Sequence, residues 1–139
     1  MSVLYSTQAR AVGGRAGHVE SNDGLLALDL APPKELGGPG GHTNPEQLFA
    51  AGYAACFESA IRHVARLGKL PLTDASVTAT VSLSPTPEGG FALGVALEAE
   101  VKGLDQAAAE ALVARAHEVC PYSNAIRGNV PVTPTVKVS

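Results

Sequence analysis

Charge is scarce in this chain. Asp, Glu, Lys and Arg make up 17% of its 139 residues, against about 25% in an ordinary globular protein. So low a count suggests that part of the surface is an oligomer interface rather than solvent surface. The net charge is −3 and no Lys/Arg cluster stands out, so the electrostatic footprint of a nucleic-acid binder is missing. No apolar run approaches the ~18 residues of a membrane span. The N-terminal Met1-Ser2-Val3-Leu4-Tyr5 lacks the charged-then-apolar layout of a signal peptide, and the expected location is cytoplasmic. Only two cysteines occur, Cys56 and Cys120. Where glutathione and thioredoxin keep structural thiols reduced, such a pair points to thiol chemistry rather than a staple. His18, His42, His63 and His117 show no metal-ligand spacing with each other or with the cysteines, which argues against zinc. The glycine-rich stretch lacks a following GK[ST], and Ser59 lacks a nucleophile-elbow context, so neither a phosphate loop nor a serine hydrolase is indicated.

What is present is one domain's worth of sequence, residues 1–139, long enough for a single core that buries roughly two-thirds of the unfolded surface. Leu4 to Val12 reads as a strand. His18–Ser21 and Leu25–Leu30 read as two more, joined by Asn22-Asp23-Gly24, where Asp-Gly tolerates positive φ. The run Pro32-Pro33-Lys34-Glu35-Leu36-Gly37-Gly38-Pro39-Gly40-Gly41 suits neither helix nor strand and is too short to separate domains, which leaves a folded site loop. A long helix follows, to Leu67 with a stop at Gly68. Its start allows two caps: Asn44 with Pro45 at the first position, or a box of Thr43 with Glu46. Gln47 to Phe57 carries no charge, so this half of the helix is expected to be covered on every side. Glu58 and Arg62 are spaced for an i,i+4 pair. Two long strands then alternate: Val77, Ala79, Val81 and Leu83 inward on one, and Phe91, Leu93, Val95, Leu97, Ala99 and Val101 on the other. Asp105 caps a second helix, to about Val119, with the stripe Ala109, Leu112, Ala116, Val119 and Cys120. The tail from Val130 to Val138 alternates as an edge strand, since Pro131 and Pro134 lack donors. Strands grouped around two helices indicate an α+β fold with antiparallel sheet around helices. One small sheet covers one side of a helix, and a second copy of the chain is the simplest cover for the rest.

Taken singly, Cys56 is a small apolar packing residue, the ordinary fate of a free cysteine in a core helix. A reactive role needs the thiolate, and an ordinary thiol is only a few per cent ionised at neutral pH. Burial lowers that fraction further unless a cation or oriented donors compensate. Arg15 is the best candidate for the cation, because it follows Gly13-Gly14 and a guanidinium stays charged when desolvated. Taken singly, it reads better as a solvated turn residue. Glu46 complements the helix dipole, and a carboxylate can also hold an arginine bidentately. On one continuous helix Glu46 and Cys56 lie about 15 Å apart. Either Arg15 spans most of that distance or the relevant Glu46 belongs to a partner subunit. Two inward cysteines on packed helices can form a disulfide if their Cα atoms come within about 7 Å.

Several segments carry a family resemblance. These are Gly13-Gly14-Arg15, Glu35 to Gly41, the run Thr43 through Phe57 with Gln-Leu-Phe-Ala-Ala-Gly-Tyr and Cys56, and Ala114 to Gly128 with Cys120-Pro121-Tyr122-Ser123-Asn124-Ala125. Over essentially its whole length the chain resembles the organic hydroperoxide resistance branch of the OsmC/Ohr superfamily. The resemblance implies an α+β fold with antiparallel sheets wrapped around central helices, as an intertwined homodimer with sites at the interface. It implies a thiol peroxidase acting on organic hydroperoxides, needing no metal, haem or flavin and reset by a lipoyl-type dithiol. Cys56 then matches the peroxidatic cysteine, Cys120 the resolving one, and Arg15 with Glu46 the pair that activates the thiolate. An apolar substrate pocket is expected from Leu36, Pro39, Phe49 and Ile126.

Two other classes share these features. A small hydrolase of hotdog type also wraps a long helix in sheet but needs a catalytic carboxylate or histidine at an acyl-thioester pocket. A ligand-binding or stress protein would leave the cysteines idle. Loss of two thiols with consumption of an organic peroxide separates the peroxidase from both.

Overall fold

The computed structural model describes residues 2–139. The chain forms two compact units, the first ending at Leu48 and the second running Phe49–Ser139. In the first, β1 (Ala9–Val12), β2 (His18–Ser21) and β3 (Ala27–Asp29) pair antiparallel in the order β1-β2-β3. Of the strand expected over Leu4–Val12, only the last four residues pair. Ala9 stands opposite Ser21, and beyond Ser21 the partner strand turns away. The turn at Asn22-Asp23-Gly24 forms as expected: the Asp23 carboxylate accepts from the Leu25 amide at 3.0 Å and from the Ser21 hydroxyl at 2.7 Å.

The Pro/Gly-rich segment is a folded loop, with one addition to the sequence reading, a 3₁₀ turn at Lys34–Leu36 that Gly37 closes at φ 83°. Because its prolines lack donors, the loop folds on their carbonyls. Pro33 O accepts from Gly38 N at 3.1 Å and Pro32 O from Gly40 N at 3.0 Å. A bridge between Leu30 and Thr43 ties its two ends together.

Helix α1 runs Pro45–Leu67. Of the two possible caps, Asn44 is the one used, its Oδ1 accepting from Gln47 N at 2.9 Å; the Thr43 hydroxyl donates instead to the Gln47 side chain at 2.8 Å. The helix ends as expected at Gly68, followed by Lys69 in the left-handed region at φ 52°. Glu58 and Arg62 pair, and Arg62 reaches on to Asp74 at 3.1 Å.

In the second unit, β4 (Asp74–Pro85) and β5 (Phe91–Lys102) form a long antiparallel hairpin. The short edge strand β6 (Thr135–Val138) lies beside β5 and runs parallel to it, which corrects the expectation of purely antiparallel sheet. The reason is topological: α2 (Gln106–Val119) lies between β5 and β6 in the chain, and a crossover through a helix brings the next strand back in the same direction. Asp105 caps α2, accepting from Ala108 N at 2.8 Å. A further helix, α3 (Pro121–Ile126), was not anticipated; Pro121 occupies its first position, where the missing N–H costs nothing.

The core joins Tyr53, Phe57, Ile61 and Ala65 of α1, Leu97, Ala99 and Val101 of β5, Ala109, Leu112, Val113 and Ala116 of α2, and Cys120. Burial falls along β5 from Val101 towards the hairpin tip. Phe91, expected to face inward, is 73% exposed there. The uncharged half of α1 is likewise not covered all round within one chain. Gln47, Ala51 and Ala55, which share one helical face, are exposed. No helix among the described residues is long and apolar enough to cross a membrane.

Leu112 is 2% exposed at the centre of this core. Leu112→Ala is expected to cost about 2–5 kcal/mol, the lost transfer energy plus a residual cavity, measured as a lowered denaturant midpoint with an unchanged slope. A loss below about 1 kcal/mol would mean the core relaxes around the site.

Candidate active site

Within the unit Phe49–Ser139, the fold brings the two cysteines together. Cys56 lies on α1 and is partly buried, Cys120 is fully buried, and both are free thiols. Cys120 belongs to neither neighbouring helix. It ends α2 and precedes α3, with extended dihedrals of φ −64° and ψ 124°. Its amide donates to Ala116 O and its carbonyl accepts from Asn124 N, each at 2.9 Å. Burial pushes the Cys56 thiol up from its ordinary value, the backbone amide of Tyr122 opposes the rise, and the charge and hydrogen bonding of Cys120 add to it. None of these acting groups is a cation. In the environment this unit provides, Cys56 is therefore a thiol and not a thiolate at neutral pH.

Aromatic rings wall the pair. The chain has three Phe and three Tyr; Phe49, Tyr53, Phe57 and Tyr122 form a linked cluster of edge-on and tilted contacts with centroids 5.6–6.3 Å apart, so most of the aromatic surface is concentrated here. On α1, Phe49, Gly52, Tyr53 and Cys56 recur at helical spacing along one face. Gly52 is required for close approach: a Cβ there would stand 2.6 Å from the Tyr122 hydroxyl oxygen and 3.1 Å from its Cζ. Tyr122 thus rests on the helix one turn before Cys56. Ile126 and Phe49, both expected pocket residues, pack partly buried against the same core cluster.

Beneath the cysteines lies a polar chain that the sequence reading missed. The hydroxyl of Tyr53 and that of Ser123 are 2.7 Å apart, both residues fully buried, and Ser123 Oγ is 2.8 Å from His117 Nδ1. Burial first, then Arg127, holds His117 below its ordinary value while Glu118 opposes, so the ring is neutral at pH 7. Burial raises the Tyr53 phenol, and its hydrogen bond to Ser123 opposes that rise. Arg127 donates to the His117 carbonyl at 2.5 Å and also to the Asn124 side chain. Spacing around Cys120 was the available signal, with His117 and Ser123 each three residues away.

In the unit ending at Leu48, the fold brings together the other predicted pair. Arg15 sits in a 3₁₀ turn, Gly14–Ala16, that Gly13 opens in the left-handed region at φ 84°. Glu46 is in the first turn of α1. Arg15 Nη1 donates to Glu46 Oε2 at 3.0 Å. Nη2 stands 2.8 Å from Oε1, close enough for an ion pair. That contact is not aligned as a hydrogen bond, and Oε1 is buried without a donor. The geometry is thus one hydrogen bond and one charge contact, short of a symmetric fork. The hydrogen bond and charge of Glu46 raise the Arg15 pKa further above its ordinary value, so the guanidinium is permanently charged. Leu36 and Pro39, the other two expected pocket residues, lie exposed on the Pro/Gly loop of this unit.

Residues 38–135 match the model of the OsmC-like protein family. The organic hydroperoxide resistance protein of Xanthomonas axonopodis pv. citri is 52% identical over 136 residues, covering 96% of this chain and 95% of that one. Among solved structures, an organic hydroperoxide resistance protein OsmC from Legionella pneumophila, described as a predicted redox protein, is 70% identical with a TM-score of 0.96. It covers 99% of this chain and 100% of its own. A putative organic hydroperoxide resistance protein from Vibrio cholerae, with captopril bound in one of its active sites, is 57% identical with a TM-score of 0.95, covering 98% and 94% of the two chains. With more than half of this chain matched by the family model and relatives this similar end to end, the chain belongs to the OsmC-like family, among its organic hydroperoxide resistance members.

Proposed function

We propose that this protein reduces organic hydroperoxides to alcohols in oxidative stress defence, using Cys56 and Cys120 as a redox-active pair. The observation that carries the reading is the contact between two free thiols, one buried and one partly buried, walled by aromatic rings in a chain of this family. The Cys56 thiolate attacks the terminal peroxide oxygen, the O–O bond breaks, and the alkoxide leaves and is protonated to the alcohol. Cys56 is now a sulfenic acid. Cys120 displaces its hydroxyl as water to form the Cys56–Cys120 disulfide, which protects Cys56 from overoxidation. A lipoyl-type dithiol returns the pair to thiols by exchange and becomes the cyclic disulfide.

The first step requires what the second unit alone does not supply, a cation for the Cys56 thiolate. Arg15 fills that role, oriented by Glu46. The acting assembly is a homodimer in the cytoplasm. Support comes from the exposed, uncharged face of Gln47, Ala51 and Ala55, which a second copy would cover. Phe49, Ile126, Leu36 and Pro39 line the substrate pocket, and no metal or organic cofactor takes part.

Three outcomes test this reading. After one equivalent of an alkyl hydroperoxide, non-reducing mass spectrometry should find each chain lighter by two hydrogens. Cys56→Ser should abolish the change, and Cys120→Ser should complete one turnover and stop at a sulfenate. Retention of both thiols alongside unconsumed peroxide would sink the peroxidase.

Arg15→Ala and Glu46→Gln should move the midpoint of Cys56 alkylation to higher pH, since the compensating charge is lost or misaligned. A midpoint about one pH higher leaves about tenfold less thiolate at neutral pH. Stability should change by less than about 1 kcal/mol, because the ion pair is partly solvated. An unmoved midpoint would assign thiolate formation to another group.

Oxidation rates should rise with alkyl chain length, by at most about fourfold for each methylene buried in the pocket, the equivalent of about 0.8 kcal/mol. Light scattering in parallel should give a dimeric mass. Equal rates from hydrogen peroxide through the longer alkyl hydroperoxides would exclude an apolar pocket, and a monomeric mass would remove the second copy.

A further inference from the structure

The chain Tyr53–Ser123–His117 is more than the disulfide requires sterically. A buried phenol needs one hydrogen-bond partner, and Ser123 alone would meet that need. Ser123 instead continues to His117 Nδ1 at 2.8 Å, and His117 is only partly buried, open to exchange a proton with solvent. At the other end, Tyr53 belongs to the same buried cluster as Cys120, with Cys56 packed against it, and burial first, with both sulfurs adding, holds its phenol above the ordinary value. The row therefore connects the neighbourhood of the thiols to a titratable ring at the surface. Either hydroxyl can donate in the Tyr53–Ser123 bond, so the row can be polarised in both directions.

Resting on the peroxidase reading above, we infer that Tyr53, Ser123 and His117 form a proton wire that takes the proton of Cys120 when its sulfur attacks the Cys56 sulfenic acid. The Cys120 thiol gives its proton to the Tyr53 oxygen, the Tyr53 proton passes to Ser123, and the Ser123 proton passes to His117 Nδ1. Cys120 sulfur then forms the S–S bond as the Cys56 S–O bond breaks. The departing hydroxide takes up one proton and leaves as water, either by the reverse transfer or from solvent, and in the second case His117 releases its proton to solvent. The sum is sulfenic acid plus thiol giving disulfide plus water, with no proton gained or lost. Tyr53 never becomes a free phenolate, in keeping with its raised pKa, and His117 starts neutral, as its lowered pKa requires. The charged and titratable groups acting on His117 are Arg127, which follows α3, and Glu118 on its own helix; Phe57 of α1 presents only an uncharged ring, tilted by 51° with centroids 6.3 Å apart.

The test is a rapid-quench measurement of disulfide closure by mass spectrometry, with dimedone trapping of the sulfenate, across pH 5–8. In the unsubstituted protein closure should slow as pH falls through the His117 pKa. Ser123→Ala and Tyr53→Phe should each slow closure at least tenfold, within the range for losing a proton-transfer group, and let sulfenate accumulate. Ser123→Ala should also flatten the acid limb. Ser123→Thr, which keeps a hydroxyl, should restore both rate and pH profile. Closure at the unsubstituted rate with an intact acid limb in Ser123→Ala overturns the wire, as does a folded Ser123→Thr that behaves like Ser123→Ala. A parallel arm drives closure with diamide, whose adduct on Cys56 is displaced by the same Cys120 attack without any peroxide. If the unsubstituted protein forms no sulfenate with alkyl hydroperoxides, the peroxidase reading fails, and the diamide arm still decides the wire by whether Ser123→Ala slows that closure.

Discussion

Tyr53 places a phenol oxygen in an apolar interior, and an oxygen there is costly unless something hydrogen-bonds to it. Ser123 meets that demand at 2.7 Å, with both residues fully buried. Much else in the second unit follows from this one bond. It ties α3 to α1 from the inside, and α3 begins immediately after Cys120. Once Ser123 is held beneath α1, Cys120 three residues earlier is held near it as well, and Tyr122 lies back over Gly52. The amide of Tyr122 then acts on Cys56. Two sulfurs far apart in sequence become neighbours because a tyrosine on one helix needed a hydroxyl from another.

Much of this was legible in the sequence where local chemistry decides. Asn44-Pro45 and Gly68 bracket α1 because capping and termination are local events, and Asp105 starts α2 for the same reason. The alternation of β4 and β5 reports which face meets the core, except at Phe91, where the hairpin runs past its cover. The pairing of Arg15 with Glu46 and the approach of Cys56 to Cys120 stood as open possibilities on residue chemistry, and the motif resemblance singled them out. Neither could be reached from spacing alone, since each depends on long-range packing.

What escaped the sequence had a physical reason in each case. The first strand is shorter than its composition allows because a strand extends only as far as its partner, and β2 turns away at Ser21. The edge strand is parallel because a helix intervenes, which alternation within the strand does not report. A six-residue helix such as α3 carries too few turns to show periodicity. The polar chain under the thiols was invisible because serine, tyrosine and histidine are ordinary at all three positions, and only tertiary structure aligns them.

Cys120 occupies a corner rather than a rod. It serves as the last support of one helix and the first of the next, its own dihedrals are extended, and its backbone amide and carbonyl are each bonded to a different helix. A side chain in the middle of a helix cannot change its reach without bending several hydrogen bonds at once. At a corner, a small rotation changes the angle between two segments and leaves both ladders whole. Mechanically, this residue can take up slack or give it out while the surrounding scaffold stays rigid. A cross-link made or broken there would be absorbed by a hinge one residue wide.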